Sequence, residues 1–384
     1  MTYFTFNNLL QAYLQCRKRK TTTKAHIEFF SQLELNLLQL EQELQSRSYR
    51  PQSSIAFVVK HPKIREIFAA NFRDRVIHHL LISYIEPKFE RIFIYDSYAC
   101  RRGKGTHRAV RRLQDFIWEV NRRLPENQHF YIKMDIKSFF ASIDRQILYQ
   151  LIVKKIKREE ILWLSRQIIF HDCVNDPSPI LYSSKQLFDS LPPGKSLFHS
   201  PPGKGLPIGN LTSQFFANVY LNELDQYVKR VLKIKYYIRY VDDFVIAGHD
   251  PEQLRAYQRQ IGQFLQQKLQ LELHPHKTTL RPISDGIDFL GYIVRPHYLL
   301  IRRRVIGNWR RRLETYASTN PQRGEKAHQS YLAHAKQANS YWLMKKQQLF
   351  WEKLTPEAKK WRLARQKRQS RKNKSSKKHL KSRQ

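Results

Sequence analysis

Cysteine is scarce: the 384 residues hold three, Cys16, Cys100 and Cys173, scattered along the chain. That set offers no disulfide framework and no paired zinc spacing, so a reducing, cytoplasmic setting is expected. Acids are short as well. Asp and Glu number 32 against 69 Lys and Arg, a formal net charge of +37. Such an excess repels itself in a compact chain unless a polyanion is its normal partner. Nucleic acid is the first candidate polyanion and a membrane surface the second. No apolar run approaches the length of a bilayer span, and the opening MTYFTFNNLL lacks the charged-then-apolar order of a signal peptide. Neither membrane insertion nor secretion is therefore expected. What is present suits a folded protein: 41% hydrophobic and 12% aromatic residues. The length supports about two or three packed subdomains, each with its own core.

Residues 1–54 read as a helical, polar extension, with Phe29, Phe30, Leu33, Leu37, Leu38 and Leu40 at helical spacing. Residues 55–60 (IAFVVK) resemble an edge strand. Val76, Ile77, Leu80, Leu81, Tyr84 and Ile85 form a helical stripe within 72–93, and a second amphipathic helix follows at 107–124. A strand at 129–137 ends in charge, and helices fill 145–170. The segment 172–209 is the least regular. It repeats Pro192-Pro193-Gly194-Lys195 as Pro201-Pro202-Gly203-Lys204, and a loop this long is usually functional. Gly194-Lys195-Ser196 is no phosphate loop, because Asp189 stands where that motif needs glycine. A helix over 211–232 precedes a strand, tight turn and strand over 235–249. Then come a helix at 251–270, short strands at 271–280 and 287–302, and basic helices over 303–358. The last stretch, 359–384, holds 13 Lys/Arg and no acid, a block expected to be disordered until it meets RNA or DNA. Strands and helices in this order imply a mixed, α+β domain.

Chemistry concentrates in three acids. Asp242 and Asp243 interrupt an apolar strand pattern, with Ile238, Tyr240 and Val241 before them and Phe244, Val245 and Ile246 after. Adjacent like charges repel, and partial burial raises the cost unless a cation compensates. The plain alternative is a solvent-exposed Asp-Asp turn. Asp135 ends the strand Tyr131-Ile132-Lys133-Met134. If that strand pairs beside the hairpin, three carboxylates converge, and hard oxygen donors at that density suit Mg²⁺. A pair of such ions activates a 3′-hydroxyl and steadies a leaving pyrophosphate. Asp144, after Ser142 and Ile143, reads as a helix cap.

These segments, in order across 55–295, resemble the reverse transcriptase motif series. KMDIKSFFASID at 133–144 is similar to the first catalytic motif, GLPIGNLTSQ at 205–214 to the nucleotide-pocket motif, and YVDDF at 240–244 to the catalytic hairpin. Leu273-His274-Pro275-His276-Lys277-Thr278 resembles the lysine motif, and Phe289-Leu290-Gly291 the primer grip. The resemblance implies a right-hand polymerase. Fingers and palm would occupy 55–295, the palm's antiparallel sheet carrying the YVDD hairpin, with a helical thumb over 296–358. It implies Asp135, Asp242 and Asp243 as catalytic metal ligands, with a backbone carbonyl from Ile136, for two Mg²⁺ ions or substituting Mn²⁺. Phe140 falls at the steric gate that selects deoxynucleotides, although a core aromatic beside Phe139 is the alternative. Lys63 and Arg65, in His61-Pro62-Lys63-Ile64-Arg65-Glu66, match the fingers residues that bind the triphosphate. A solvated basic face is the alternative for Lys63. Lys277 matches the proton donor to pyrophosphate, an exposed lysine being its alternative.

One departure narrows the resemblance. Most reverse transcriptases carry Gln, Gly, three variable residues, Ser and Pro in the nucleotide pocket. Here Ile208 precedes Gly209, and Gln214 follows Ser213. This pairing is similar to the enzymes of bacterial and phage diversity-generating retroelements, which copy a template RNA into cDNA with errors at template adenines. Subfamily likeness also implies a small basic accessory protein. Arg101, Arg102 and Lys104 in one basic stretch, and Arg310, Arg311 and Arg312 in another, are expected along a template–primer channel. The rival readings are a group II intron or retron reverse transcriptase and, in another class, a non-catalytic RNA-binding splicing cofactor.

Overall fold

The computed structural model describes residues 2–18, 23–60, 63–122, 129–175, 178–364 and 366. His61, Pro62 and the tail from Lys367 onward lie outside the described residues. The chain forms two compact units, residues 1–109 with 130–281 and residues 110–129 with 282–384. The division falls at Pro282, ahead of the expected boundary after 295, because the strands from Ile287 onward pair among themselves.

In the first unit the expected stripe is real. Asn71 caps the helix Phe72–Glu90 by accepting from Arg73 N, and Val76, Ile77, Leu80, Leu81 and Ile85 are buried along it. The helix Leu211–Gln226 is buried almost all round, the mark of a core element, and its last turn widens into a π-helix at Tyr227–Val231. Both helices contribute to the main core cluster.

Among the described residues seven strands belong to two sheets here. They are β1 (Ile55–Val59), β2 (Arg65–Ala69), β3 (Phe130–Asp135), β4 (Ile180–Leu181), β5 (Tyr237–Tyr240), β6 (Asp243–Gly248) and β7 (Thr279–Pro282). The smaller sheet runs β2-β1-β4. β1 was expected at an edge, but the short β4 pairs parallel to it and makes it central. The larger sheet runs β5-β6-β3-β7, with β3 antiparallel to β6 and β6 to β5.

Segment 172–209 contributes β4, the short helix Lys185–Asp189 and two 3₁₀ turns. It is pinned at several points. The buried Glu66 carboxylate accepts from Ser196 Oγ at 2.6 Å and Leu197 N at 2.8 Å. Leu206 N donates to Phe140 O, and Phe68 N to Ile208 O, both at 2.8 Å.

The second unit pairs β8 (Ile287–Phe289) with β9 (Tyr292–Val294), and β9 with β10 (Leu299–Ile301). The loop between β8 and β9 is two residues, Leu290 and Gly291, at φ 52° and 93°. Positive φ at both positions gives the twist that a two-residue hairpin prefers. Helices Arg303–Thr319, Pro321–Ala335 and Tyr341–Leu354 pack around Trp309, His328 and Trp351. The basic tail was expected to be disordered from 359. Instead residues 357–364 are helical, with Ala358 buried and Arg362 paired to Glu352 at 2.6 Å, because an acid on the preceding helix meets it. Among the described residues no helix is long and apolar enough to cross a membrane.

Candidate active site

The β3–β6 register sets Asp135 directly opposite Asp243. Cross-strand partners share a face and strand faces alternate, so Lys133, Asp135 and Asp243 project to one side. Met134 and Phe244 enter the core on the other. Val241 and Asp242 make the turn between β5 and β6, with Val241 at φ 57°. Ile136, itself buried, donates its N–H to Asp242 O at 3.3 Å, stitching the end of β3 to the turn. Asp135, Ile136, Asp242 and Asp243 thus meet at one sheet edge, as the motif order implied.

Two lysines share that edge. Lys277 Nζ lies 2.7 Å from Asp135 Oδ1, and Lys133 Nζ lies 3.1 Å from Asp243 Oδ2. Burial, then the charges of Asp135 and Asp243, push the Asp242 carboxyl up to about 6. Among the described residues no group of three or more His, Cys, Asp or Glu is arranged to hold a metal ion. The donor chemistry nevertheless fits a hard divalent cation: three carboxylates, one of them disfavoured as an anion by burial and by its acidic neighbours.

The nucleotide-pocket motif lies along β2. The half-buried Ile208 is held through its carbonyl by Phe68, and Asn210 Oδ1 accepts from Ala70 N at 3.1 Å. A Cβ on Gly209 would stand 2.6 Å from Phe68 O, so glycine is required for this approach. Gln214 is exposed on the following helix. Lys63 and Arg65 are exposed beside and at the start of β2. Phe140 is partly buried, edge-on to Phe139 at 5.3 Å, so the core-aromatic reading holds for one side of its ring. Asp144 caps its helix by accepting from Ile147 N at 2.9 Å, as expected.

Other expected contacts fall elsewhere. Phe289, Leu290, Gly291, Arg310, Arg311 and Arg312 belong to the second unit. The three arginines are exposed, Arg310 lying over the Phe350 ring. Arg101 corrects the channel expectation. Its side chain is 7% exposed and turns inward to Glu90 at 2.8 Å and to the carbonyls of Ile94 and Ser97. Lys104 is half committed, donating to Tyr95 O and lying over the Tyr95 and Tyr98 rings, while Arg102 remains exposed.

Sequence reasoning missed four participants, Lys133, Glu66, Arg239 and Asp225. Lys133 was legible from strand alternation, two residues before Asp135. Glu66 and the buried pair Arg239–Asp225 are charges inside apolar surroundings, a signal that marks a partner without naming it.

The family model "Reverse transcriptase (RNA-dependent DNA polymerase)" matches residues 58–294. The chain is 24% identical to protein YkfC of Escherichia coli over 314 residues, 73% of this chain and 75% of YkfC. It is 22% identical to the group II intron-encoded protein LtrA of Lactococcus lactis over 66% of this chain, and spans about half (49%) of LtrA. The structure of a Candida tropicalis telomerase truncated from its C-terminal domain aligns over 68% of this chain and 59% of that one, with 12% identity and a TM-score of 0.46. The family match takes in more than half of the 384 residues and contains all three acids, so the chain belongs to the reverse transcriptase family, RNA-directed DNA polymerases of the right-hand α+β fold.

Proposed function

We propose that this protein copies a template RNA into cDNA with low fidelity at template adenines, as the reverse transcriptases of diversity-generating retroelements do. Fingers and palm fall in the first unit from residue 55, and the thumb lies in the second unit, over 282–358. The observation that carries the polymerase site is the gathering of Asp135, Asp242 and Asp243 at one edge, with Asp242 pushed up to about 6. Those acids and the Ile136 carbonyl would hold two Mg²⁺ ions, with Mn²⁺ able to substitute. Bound there, such ions supply activation of the primer 3′-hydroxyl and neutralise charge on the pyrophosphate. Lys277, half exposed, swings from Asp135 to protonate the leaving group. Lys63 and Arg65 grip the triphosphate, and Phe140 excludes a 2′-hydroxyl.

The aliphatic Ile208 underlies the infidelity. Without a directional hydrogen bond in the pocket, a mispaired nucleotide escapes a penalty on the order of 1 kcal/mol. Template RNA, cDNA and deoxynucleotides are the partners, together with a small basic accessory protein. Similarity to LtrA favours a second reading, an intron-type reverse transcriptase. Primer extension on a defined RNA with Mg²⁺ tests both. The parent should extend, Asp242→Ala/Asp243→Ala should not, and adenine-specific errors in the sequenced cDNA separate the two readings. Activity in the double variant refutes the site, and uniform errors refute the subfamily.

A further inference from the structure

We propose that Arg239 and Asp225 are a buried positioning pair that holds the Val241–Asp242 turn in the shape that presents the acids, an inference resting on the polymerase reading above. Both side chains are 0% exposed. Arg239 grips Asp225 with two donors, Nε to Oδ1 at 2.7 Å and Nη2 to Oδ2 at 2.6 Å. Tyr237 OH also donates to Asp225 Oδ1, at 2.8 Å. The remaining donors of the guanidinium reach outward, Nη2 to Ser97 Oγ at 3.1 Å and Nη1 to Asn218 Oδ1 at 3.3 Å.

The decisive contact is the last. Arg239 Nη1 donates to Val241 O at 3.0 Å. Val241 is β-branched and stands at φ 57°, a conformation such residues rarely adopt. It persists only where the surroundings over-determine it. The carbonyl that Arg239 holds belongs to the peptide entering Asp242, so rotation of that peptide would move the Asp242 carboxylate. Arg239 is itself fixed through its backbone, donating to Asp96 O and accepting from Tyr98 N, both at 3.0 Å.

Asp225 lies near the end of the helix Leu211–Gln226, whose start follows Gly209 and Asn210. One rigid helix therefore carries the nucleotide-pocket motif at its N-terminus and anchors the acid turn near its C-terminus. A buried ion pair is a poor source of stability, since desolvation offsets the attraction. A planar fork that engages a carboxylate and a carbonyl together is a good positioning device, and lysine cannot reproduce it.

The test compares Arg239→Met/Asp225→Leu, Arg239→Lys and the parent in single-nucleotide incorporation, RNA binding and thermal melting. The double variant removes both charges while keeping apolar volume. It should still fold, melting below the parent because Tyr237 OH, Asn218 Oδ1 and Val241 O lose a partner, and should bind RNA equally and keep its KM for deoxynucleotide. Its kcat should fall on the order of 100-fold, the loss expected from a misplacement of about 1 Å. Its Mg²⁺ requirement for half-maximal rate should rise. Parental kcat in the folded double variant, or a loss confined to KM, overturns the proposal. If that variant does not fold, Arg239→Lys decides: a folded Lys variant with parental kcat overturns it, and one with the kcat loss supports it. Asp242→Ala/Asp243→Ala in the same assay keeps the two ideas apart. Activity there sinks the polymerase site itself, whereas inactivity there beside parental rates in the Arg239 variants sinks only the pair's role.

Discussion

Gly209→Ala perturbs the junction between β2 and the nucleotide-pocket motif with a single methyl group. At Gly209 the backbone has φ +130°, and an added Cβ would stand 2.6 Å from Phe68 O and 2.9 Å from Ile67 Cγ2. The nearer atom is a strand carbonyl, and β2 is paired along its length to β1, so it cannot step aside. The backbone conformation alone costs about 1–3 kcal/mol for a residue with a side chain. Moving the Ile208–Gly209 turn away from β2 enough to relieve the contact also breaks the 2.8 Å bond from Phe68 N to Ile208 O, worth about 1 kcal/mol. The expected loss is about 2–4 kcal/mol. Urea denaturation reads that loss directly. Steady-state kinetics on the folded fraction should show a raised KM for deoxynucleotide with a smaller change in kcat, because the acids are anchored by β3 and β6. A parental midpoint together with a parental KM refutes the reasoning.

Three further outcomes follow from the same geometry. Ile208→Gln should lower misincorporation at template adenines in sequenced cDNA while leaving other positions unchanged, and an unaltered error profile defeats the pocket explanation. His78 is buried, and that burial, reinforced by His79, His171 and Arg75, lowers its pKa from 6.5 to about 3. The unfolded chain thus binds a proton that the folded chain refuses, so His78 costs stability as pH falls below about 6.5, by about 1.4 kcal/mol per unit until the folded pKa is reached. The non-titrating His78→Gln should show a shallower acid loss than the parent in denaturation curves between those limits, and parallel curves contradict the assignment. Lys133→Met removes the cation 3.1 Å from Asp243. The metal-free protein should lose about 1 kcal/mol, and Mg²⁺ should raise its melting temperature more than the parent's; an equal Mg²⁺ response refutes Lys133 as a stand-in cation.

The acid hairpin was legible because adjacent acids between apolar strand residues demand an explanation, and because Ile132–Asp135 alternates apolar and charged. The facing of Asp135 and Asp243 was conditional on the two strands lying side by side, because Phe244–Ala247 is apolar throughout and shows no face of its own. The contact of Lys277 with Asp135 joins residues 142 positions apart, and no local pattern foretells it. Arg101 misled for a physical reason. In a run of basic residues, composition does not reveal which side chain finds a carboxylate, and Glu90 lies on another element. β1 was misplaced because its parallel partner is two residues long, too short to show a period. Arg239 carried a faint signal, a charge one position before Tyr240 in an apolar strand, but its partner Asp225 sat in a helix that reads as ordinary core. The helical start of the tail was hidden by its charge, because the acid that receives Arg362 comes from the preceding helix.

The pairing of Asp135 with Asp243 constrains how this chain can change over generations. Side chains on a strand alternate, so one inserted or deleted residue between Phe130 and Asp135 exchanges the inward and outward sets together. Asp135 would turn toward the core and a hydrophobic neighbour would take its place at the edge. Substitutions there can be graded in effect, but changes of length cannot. Segment 172–209, with its short elements and turns, can absorb length only away from its pinned points, Ser196, Leu197 and the run Leu206–Gly209. Homologues should therefore diverge by replacement along β3 and by insertion in that segment. A gap inside β3 would mark a copy that no longer synthesises DNA, whatever acids it retains.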